Sequence, residues 1–329
     1  MRPAARARLR GAARAARDVP DDRRRAGRHA VTAFPSPRDP RPFGAFLGCG
    51  LVWGSTFLVI QVGNDALPPL WAATLRLAIA LVLLLALLAG LRVPFPRGAA
   101  LRAAAAFGAL NFGVNFSLLY WGETRVPSGL TAVLYATIPL TTSLFAWALR
   151  LERPSPARLV AALVALGGVA LIFSGSLRGR VDPLGLAAVL GAASCAALSG
   201  VCLKLGPRQH PLGANAGGVA VGLVVCMAAS ALAGEPRPWP GTWAAAAPVL
   251  YLAIFGSVVA FGLYAWLVNR WSVTRISFVS VLVPVLALAL GAAFRGEQLS
   301  GTEAGGAALV LGGLAFGLAV DAARGRAAR

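Results

Sequence analysis

The sequence predicts an all-α integral membrane protein whose ten transmembrane helices form two inverted five-helix repeats. Three observations predict it. The 329 residues are 57% hydrophobic and only 13% charged, with a mean hydropathy of +0.71, whereas soluble domains carry roughly 25% charged residues. The apolar residues gather into runs of about 20, divided by short breaks rich in Gly, Pro and Arg, and that is the length a helix needs to cross the hydrocarbon of a bilayer. Finally, IPLTTSLFAWALRLE (138–152) returns as VPVLALALGAAFRGE (283–297), with Pro, Arg and Glu at matching places.

Backbone polar groups in lipid must be paired within a helix or a closed barrel, and runs that are continuous rather than alternating select helices. The candidate spans are 43–63, 70–91, 101–121, 127–149, 156–174, 183–204, 212–233, 244–267, 273–294 and 303–320. An even count puts both termini on one side. Basic residues set the orientation: with the N-terminus cytoplasmic, 13 Lys and Arg outside the N-terminal tail fall on inner segments and 5 on outer loops. The expectation is a multi-pass protein of the cell's inner membrane with both termini cytoplasmic.

Twelve of the 31 basic residues lie in residues 1–42, a stretch with too little apolar surface to fold alone and therefore expected to be a disordered Arg/Pro-rich tail. It has no apolar core like that of a cleavable signal peptide. A misassigned start codon, an interfacial anchor on anionic lipid and a solvated tail all suit it. No aromatic residue interleaves its Arg before Phe34, which argues against a nucleic-acid partner. Residues 321–329 form a short basic tail, expected to be cytoplasmic.

A gapless shift of 145 residues aligns Trp121 with Trp266, Pro139 with Pro284, Arg150 with Arg295, Glu152 with Glu297 and Gly167-Gly168 with Gly312-Gly313. The match is strongest over the last two helices of each half and fades toward the first. Five spans per half is an odd number, so the second half crosses in the opposite sense and the repeat is inverted.

The residues carrying these patterns resemble those of the drug/metabolite transporter superfamily, in particular its EamA-type ten-helix exporters. The resemblance covers about 43–320. It rests on WGSTF (53–57), Arg76, IPL with LRLERPSPARLVAALVALGGVALI, and VPV with FRGEQLSGTEAGGAALVLGGLAF. It implies two five-helix modules, 43–174 and 183–320, around a cavity open in turn to each side, with export of small metabolites, amino acids or drugs as the usual activity. The sequence departs from the family in its basic N-terminal extension. It departs also in CAALSGVCL, which has no Trp-Gly pair in the first helix of the second half.

Polar and aromatic residues inside helices are the candidates for a substrate site. Asn111 and Asn115 share one face of the third helix at i, i+4 spacing, and an amide facing lipid is costly. Trp53, Ser55, Thr131, Tyr135, Tyr264, Trp266 and Ser280 lie on the first, fourth, eighth and ninth helices, the cavity-lining set that the resemblance implies. Arg76 is a cation well inside an apolar run, which marks either a functional site or an arginine snorkelling outward to Glu123 or Asp65. Pro139 and Pro284 each remove a backbone hydrogen bond, either as hinges or as fixed kinks. Glu152 and Glu297 follow the ends of those helices, as caps and local ion-pair partners or as parts of two equivalent gates.

Other chemistries lack their residues. Lys204, the single lysine, follows no phosphate-binding glycine loop, and Ser199 has no histidine on a neighbouring span to activate it. The four cysteines lie within apolar runs without Cys-x-x-Cys spacing, so neither a metal nor a cofactor is expected. The leading expectation is a secondary transporter, not an enzyme, whose partners are a small-molecule substrate and the lipid bilayer. Proton or ion coupling and oligomeric state stay open. A lipid-modifying membrane enzyme and a non-transporting scaffold are the alternatives.

Overall fold

The computed structural model describes residues 40–126, 128–153, 155–174, 182–295 and 300–327. Glu297 and residues 1–39 of the tail lie outside the described residues. Among those described, the secondary structure is helical and contains no strand. The helices are α1 (Arg41–Asn64), α2 (Pro69–Gly90), α3 (Gly98–Gly122), α4 (Leu130–Ala148), α5 (Pro156–Ile172), α6 (Pro183–Leu205), α7 (Pro211–Leu232), α8 (Trp243–Val268), α9 (Val273–Ser277 continuing as Val279–Arg295) and α10 (Gly301–Ala327). Seven of them, α1 to α4 and α6 to α8, are long and apolar enough to cross a membrane, while Pro156–Ile172 and Val273–Leu286 are shorter apolar helices. Leu58, Val82, Leu85, Leu159, Leu163 and Val224 are exposed on the outside of the bundle, as a lipid-facing surface requires.

Helix starts follow from local chemistry. Pro69, Pro156, Pro183 and Pro211 stand at first helical positions, where the missing N–H costs nothing. Ser155, Asp182, Thr242 and Ser272 accept hydrogen bonds from the first-turn amides of α5, α6, α8 and α9, which satisfies otherwise orphaned donors. Arg92 and Arg150 end α2 and α4 at positive φ (52° and 57°), so the chain turns sharply there without glycine.

Two spans are wound irregularly at their centres. In α3 the residues Ala109–Asn115 form a π-helical segment, and in α8 Leu252–Val259 do the same. Such segments misalign backbone carbonyls, and side chains take these up. Asn115 Nδ2 donates to the Asn111 carbonyl at 3.0 Å, Cys226 Sγ to that of Phe112 at 3.1 Å, and Asn215 Nδ2 to that of Ser257 at 2.9 Å.

Helices approach most closely where both carry glycine. A methyl group at Gly108 would collide with the backbone of Gly218, and one at Gly222 with Phe112, so α3 and α7 are in near-backbone contact. Gly168 and Gly306 do the same for α5 and α10, joined by Gly313 against the Ala161 carbonyl. Gly301 and Gly305 differ from Gly313 and Gly317: they face open space, being on the outward side of α10.

The halves interdigitate. Helix α1 packs against α8 and α9, and α2 against α7. Two carboxylates fasten this arrangement. Glu152, after α4, accepts from the Val273 and Thr274 amides at 2.8 and 3.4 Å, while its other oxygen accepts from Arg158 Nη1 at 3.0 Å. Glu235, after α7, accepts from the Leu70 and Trp71 amides at 3.1 and 2.8 Å. Each carboxylate thus caps a helix of the other half. Within the second half, Lys204 of α6 donates to the Val268 and Trp271 carbonyls between α8 and α9.

Candidate functional site

A cavity of about 110 Å³ lies within the bundle, lined from both halves. That is ample for several waters, each of which needs roughly 10–15 Å³ on the same measure. Six aromatic residues, Trp53, Phe57, Phe116, Tyr135, Phe261 and Tyr264, contribute to its wall. Phe261 packs edge-on to Phe112 (4.6 Å between centroids) and tilted against Trp53 (5.1 Å), and Phe57 meets Tyr135 edge-on at 5.4 Å. Offset and edge-to-face pairs of this kind stiffen a wall beyond the gain from burial.

The irregular winding of α3 sets the polar part. Asn111 and Asn115 both face the cavity from the π-helical segment, and the Tyr135 hydroxyl donates to Asn115 Oδ1 at 2.5 Å. Ser199 donates to Asn111 Oδ1 at 3.3 Å, but Asn111 Nδ2 has no partner within the protein, and neither has Thr142 Oγ1. Both atoms belong to cavity-lining residues. Buried donors are normally satisfied, so two such groups on residues of the cavity wall stand out.

Arg76 supplies the charge. It is 1% exposed, and it neither snorkels outward nor pairs with Glu123 or Asp65. Its Nε donates to Ser257 Oγ at 2.8 Å and Nη1 to the Tyr120 hydroxyl at 3.3 Å, with the guanidinium 4.4 Å over the Phe116 ring. These neighbours are neutral.

The cavity brings together Trp53, Arg76, Asn111, Asn115, Tyr135, Tyr264 and Ser280 from the sequence-derived set. The other three lie elsewhere. Ser55 bonds to the Tyr251 hydroxyl at 2.7 Å and to its own helix; Thr131 is buried away from the cavity; Trp266 stacks under Arg270 at 3.7 Å and borders a separate recess with Arg41 and His210. Phe57, Phe116, Phe261, Thr142 and Ser277 also line the cavity. Nothing in their own stretches of sequence separates the phenylalanines from ordinary core, whereas Thr142 and Ser277 lie three residues from Pro139 and Ser280.

The prolines act on this wall at one remove. Pro139 stands in the first turn after a break in α4 at Ala136 and Thr137, and Pro284 lies inside α9. Pro284, lacking an N–H inside a helix, releases the carbonyl of Ser280, a cavity-lining residue; Pro139, in a first turn, displaces no helical hydrogen bond.

The helical bundle thus encloses a cavity lined by both polar and aromatic side chains, and comparison with known proteins gives the family of the chain. The EamA-like transporter family matches residues 43–174 and 183–318, so the chain belongs to that family. It is 35% identical over 271 residues to the uncharacterized inner membrane transporter YedA of Escherichia coli K12, covering 79% of this chain and 85% of that protein. It is 28% identical over 277 residues to a probable amino-acid metabolite efflux pump of Salmonella typhimurium, covering 80% and 90%. A crystal structure sharing 20% identity superposes with a TM-score of 0.67 over 83% of this chain and 94% of the other, a likeness of fold. The family and these relatives are transporters rather than enzymes.

Proposed function

We propose that the protein is a secondary transporter of the inner membrane that exports small amphipathic metabolites, with amino acids as the leading class, by opening the cavity in turn to each side. The observation that carries this reading is the placement of two unpartnered polar groups, Asn111 Nδ2 and Thr142 Oγ1, and the Arg76 guanidinium on a cavity whose remaining wall is aromatic and aliphatic. A solute with a carboxylate, a hydrogen-bonding centre and an apolar side chain matches that wall group for group. Relatives described as a probable amino-acid metabolite efflux pump and a probable terminal-alkyne amino-acid exporter agree with it.

Two inverted five-helix repeats, within the modules 43–174 and 183–320, supply the machinery for alternating access in this reading. The 145-residue shift carries Ala109–Asn115 onto 254–260, which overlaps the second π-helical segment at Leu252–Val259. The same shift carries Tyr135 onto Ser280, two residues of the cavity wall. Pro139 and Pro284 are the hinge candidates. Glu152 is a gate component, with Glu297 as its counterpart by repeat.

Efflux of a labelled amino-acid panel from loaded proteoliposomes tests the function. Faster loss of at least one solute than from empty liposomes is expected; equal loss for every solute would remove the reading. A reporter fused after Arg329 is expected to report a cytoplasmic location, and a periplasmic signal would overturn the ten-span topology.

A further inference from the structure

Glu123 lies in the turn after α3, 6% exposed, and neither carboxylate oxygen has a hydrogen-bond partner within the protein. Its surroundings offer little to an anion. At the adjoining end of α6, Val189, Gly185 and Ala188 pack on Gly122, and none of them carries a charge. Among the described residues, the exposed cation two positions on, Arg125, is turned to Asp182 at 3.3 Å and to the Trp121 ring at 3.8 Å. An ionised carboxylate so enclosed costs several kcal/mol, and burial alone holds the Glu123 carboxyl well above the ordinary carboxylate range. The geometry is that of a carboxylic acid carrying its proton.

Two tyrosines connect this acid to the cavity. Glu123 is an electrostatic neighbour of Tyr120 and of Tyr135. Tyr120 accepts the Arg76 hydrogen bond, and Tyr135 donates to Asn115. The remaining titratable groups near these tyrosines are thiols, Cys226 on α7 by Tyr120 and Cys195 on α6 by Tyr135. Arg76, bonded to Tyr120, is the one fixed charge among these groups. Thr124 and Arg125 are exposed, so a proton leaving Glu123 has water one residue away.

We infer that Glu123 is a proton-binding site linked to the cavity: as the neutral acid it leaves the Arg76 charge to a solute carboxylate, and on giving its proton to water its anion competes for that charge through Tyr120. The inference deepens the proposed function, since it supposes a carboxylate-bearing solute at Arg76. Proton uptake and solute binding then favour each other, and a solute lacking the carboxylate is indifferent to pH.

The test has two independent arms on the full-length protein in detergent. The first needs no solute. A group whose folded pKa is raised adds stability that is complete at low pH and is lost as pH rises through the folded pKa. Wild-type thermal stability should therefore fall as pH rises above the ordinary carboxylate range toward the raised Glu123 titration, and Glu123→Gln, which cannot ionise, should remove that fall. Superimposable profiles would overturn the proton site. The second arm measures binding of L-phenylalanine and its amide from pH 6 to pH 9. Wild-type affinity for the acid should weaken by up to about tenfold per pH unit above the Glu123 titration, while E123Q binds it independently of pH and the amide shows no such dependence in either protein. An acid dependence retained in E123Q would overturn the linkage. Failure of both proteins to bind the acid at every pH would count against the solute class, with the stability arm still deciding whether Glu123 holds a proton.

Discussion

The Glu152 carboxylate accepts a hydrogen bond from the Val273 amide at 2.8 Å, across 121 positions of chain, and so ties the end of α4 to the start of α9. Because its second oxygen is held by Arg158, the same carboxylate also fixes the start of α5. Removing it leaves two amides and a guanidinium at a partly buried junction without their acceptor. Glu152→Ala is expected to cost about 1–3 kcal/mol, read as a lower melting temperature. If the junction is a gate, a cysteine placed at Ala197 on the cavity, in a protein with its native cysteines replaced, should react faster with an impermeant thiol reagent from the cytoplasmic side. A lower melting temperature with unchanged reactivity would make Glu152 a structural cap alone.

The cavity wall predicts a separation of binding from folding. Tyr135→Phe deletes one hydroxyl and leaves the ring on Phe57, so folding should change little while Asn115 loses its 2.5 Å donor. The apparent KM for export should rise about tenfold, the equivalent of a hydrogen bond near the upper end of the usual 0.5–1.5 kcal/mol. Unchanged KM and kcat would place Tyr135 outside the substrate path.

Close helix contact predicts a contrast between glycines. Gly108→Ala forces a methyl into the Gly218 backbone and should destabilise by about 1–3 kcal/mol or more. Gly262→Ala has open space at the same distance and should be neutral or slightly stabilising, since alanine is the better helix former. Equal melting temperatures for the two variants would contradict the α3–α7 packing.

Pro284→Ala restores an N–H that can recapture the Ser280 carbonyl, and Pro139→Ala frees the fixed φ at the helix start after the break in α4. Export rate should fall in both variants without loss of folded protein. If neither rate changes, the prolines shape the wall and do not move.

The apolar runs, the cavity amides and the proline positions were legible in the sequence because each is a local departure from a strong pattern. Asn111 and Asn115 stand out in an aliphatic helix, as do Arg76 and Tyr135. The π-helical segments were not, since ALNFGVN and LAIFGSVV differ in composition from ordinary span residues only slightly, and their winding depends on Asn115, Cys226 and Asn215 being in place to take the displaced carbonyls. Phe112 and Phe261 gave no sign of meeting across the two halves, because an aromatic in a lipid-soluble helix suits core, cavity and surface alike. Ser55 and Trp266 were attractive for their chemistry and lie elsewhere because Tyr251 and Arg270 engage them first.

Glu235 reaches back 165 positions to the amide of Leu70. During synthesis α2 emerges long before that carboxylate exists, and its first turn must wait, hydrated or fraying, until α7 has been made and inserted. The first turn of α2 thus gains its cap only once the second half has been made and packed against it.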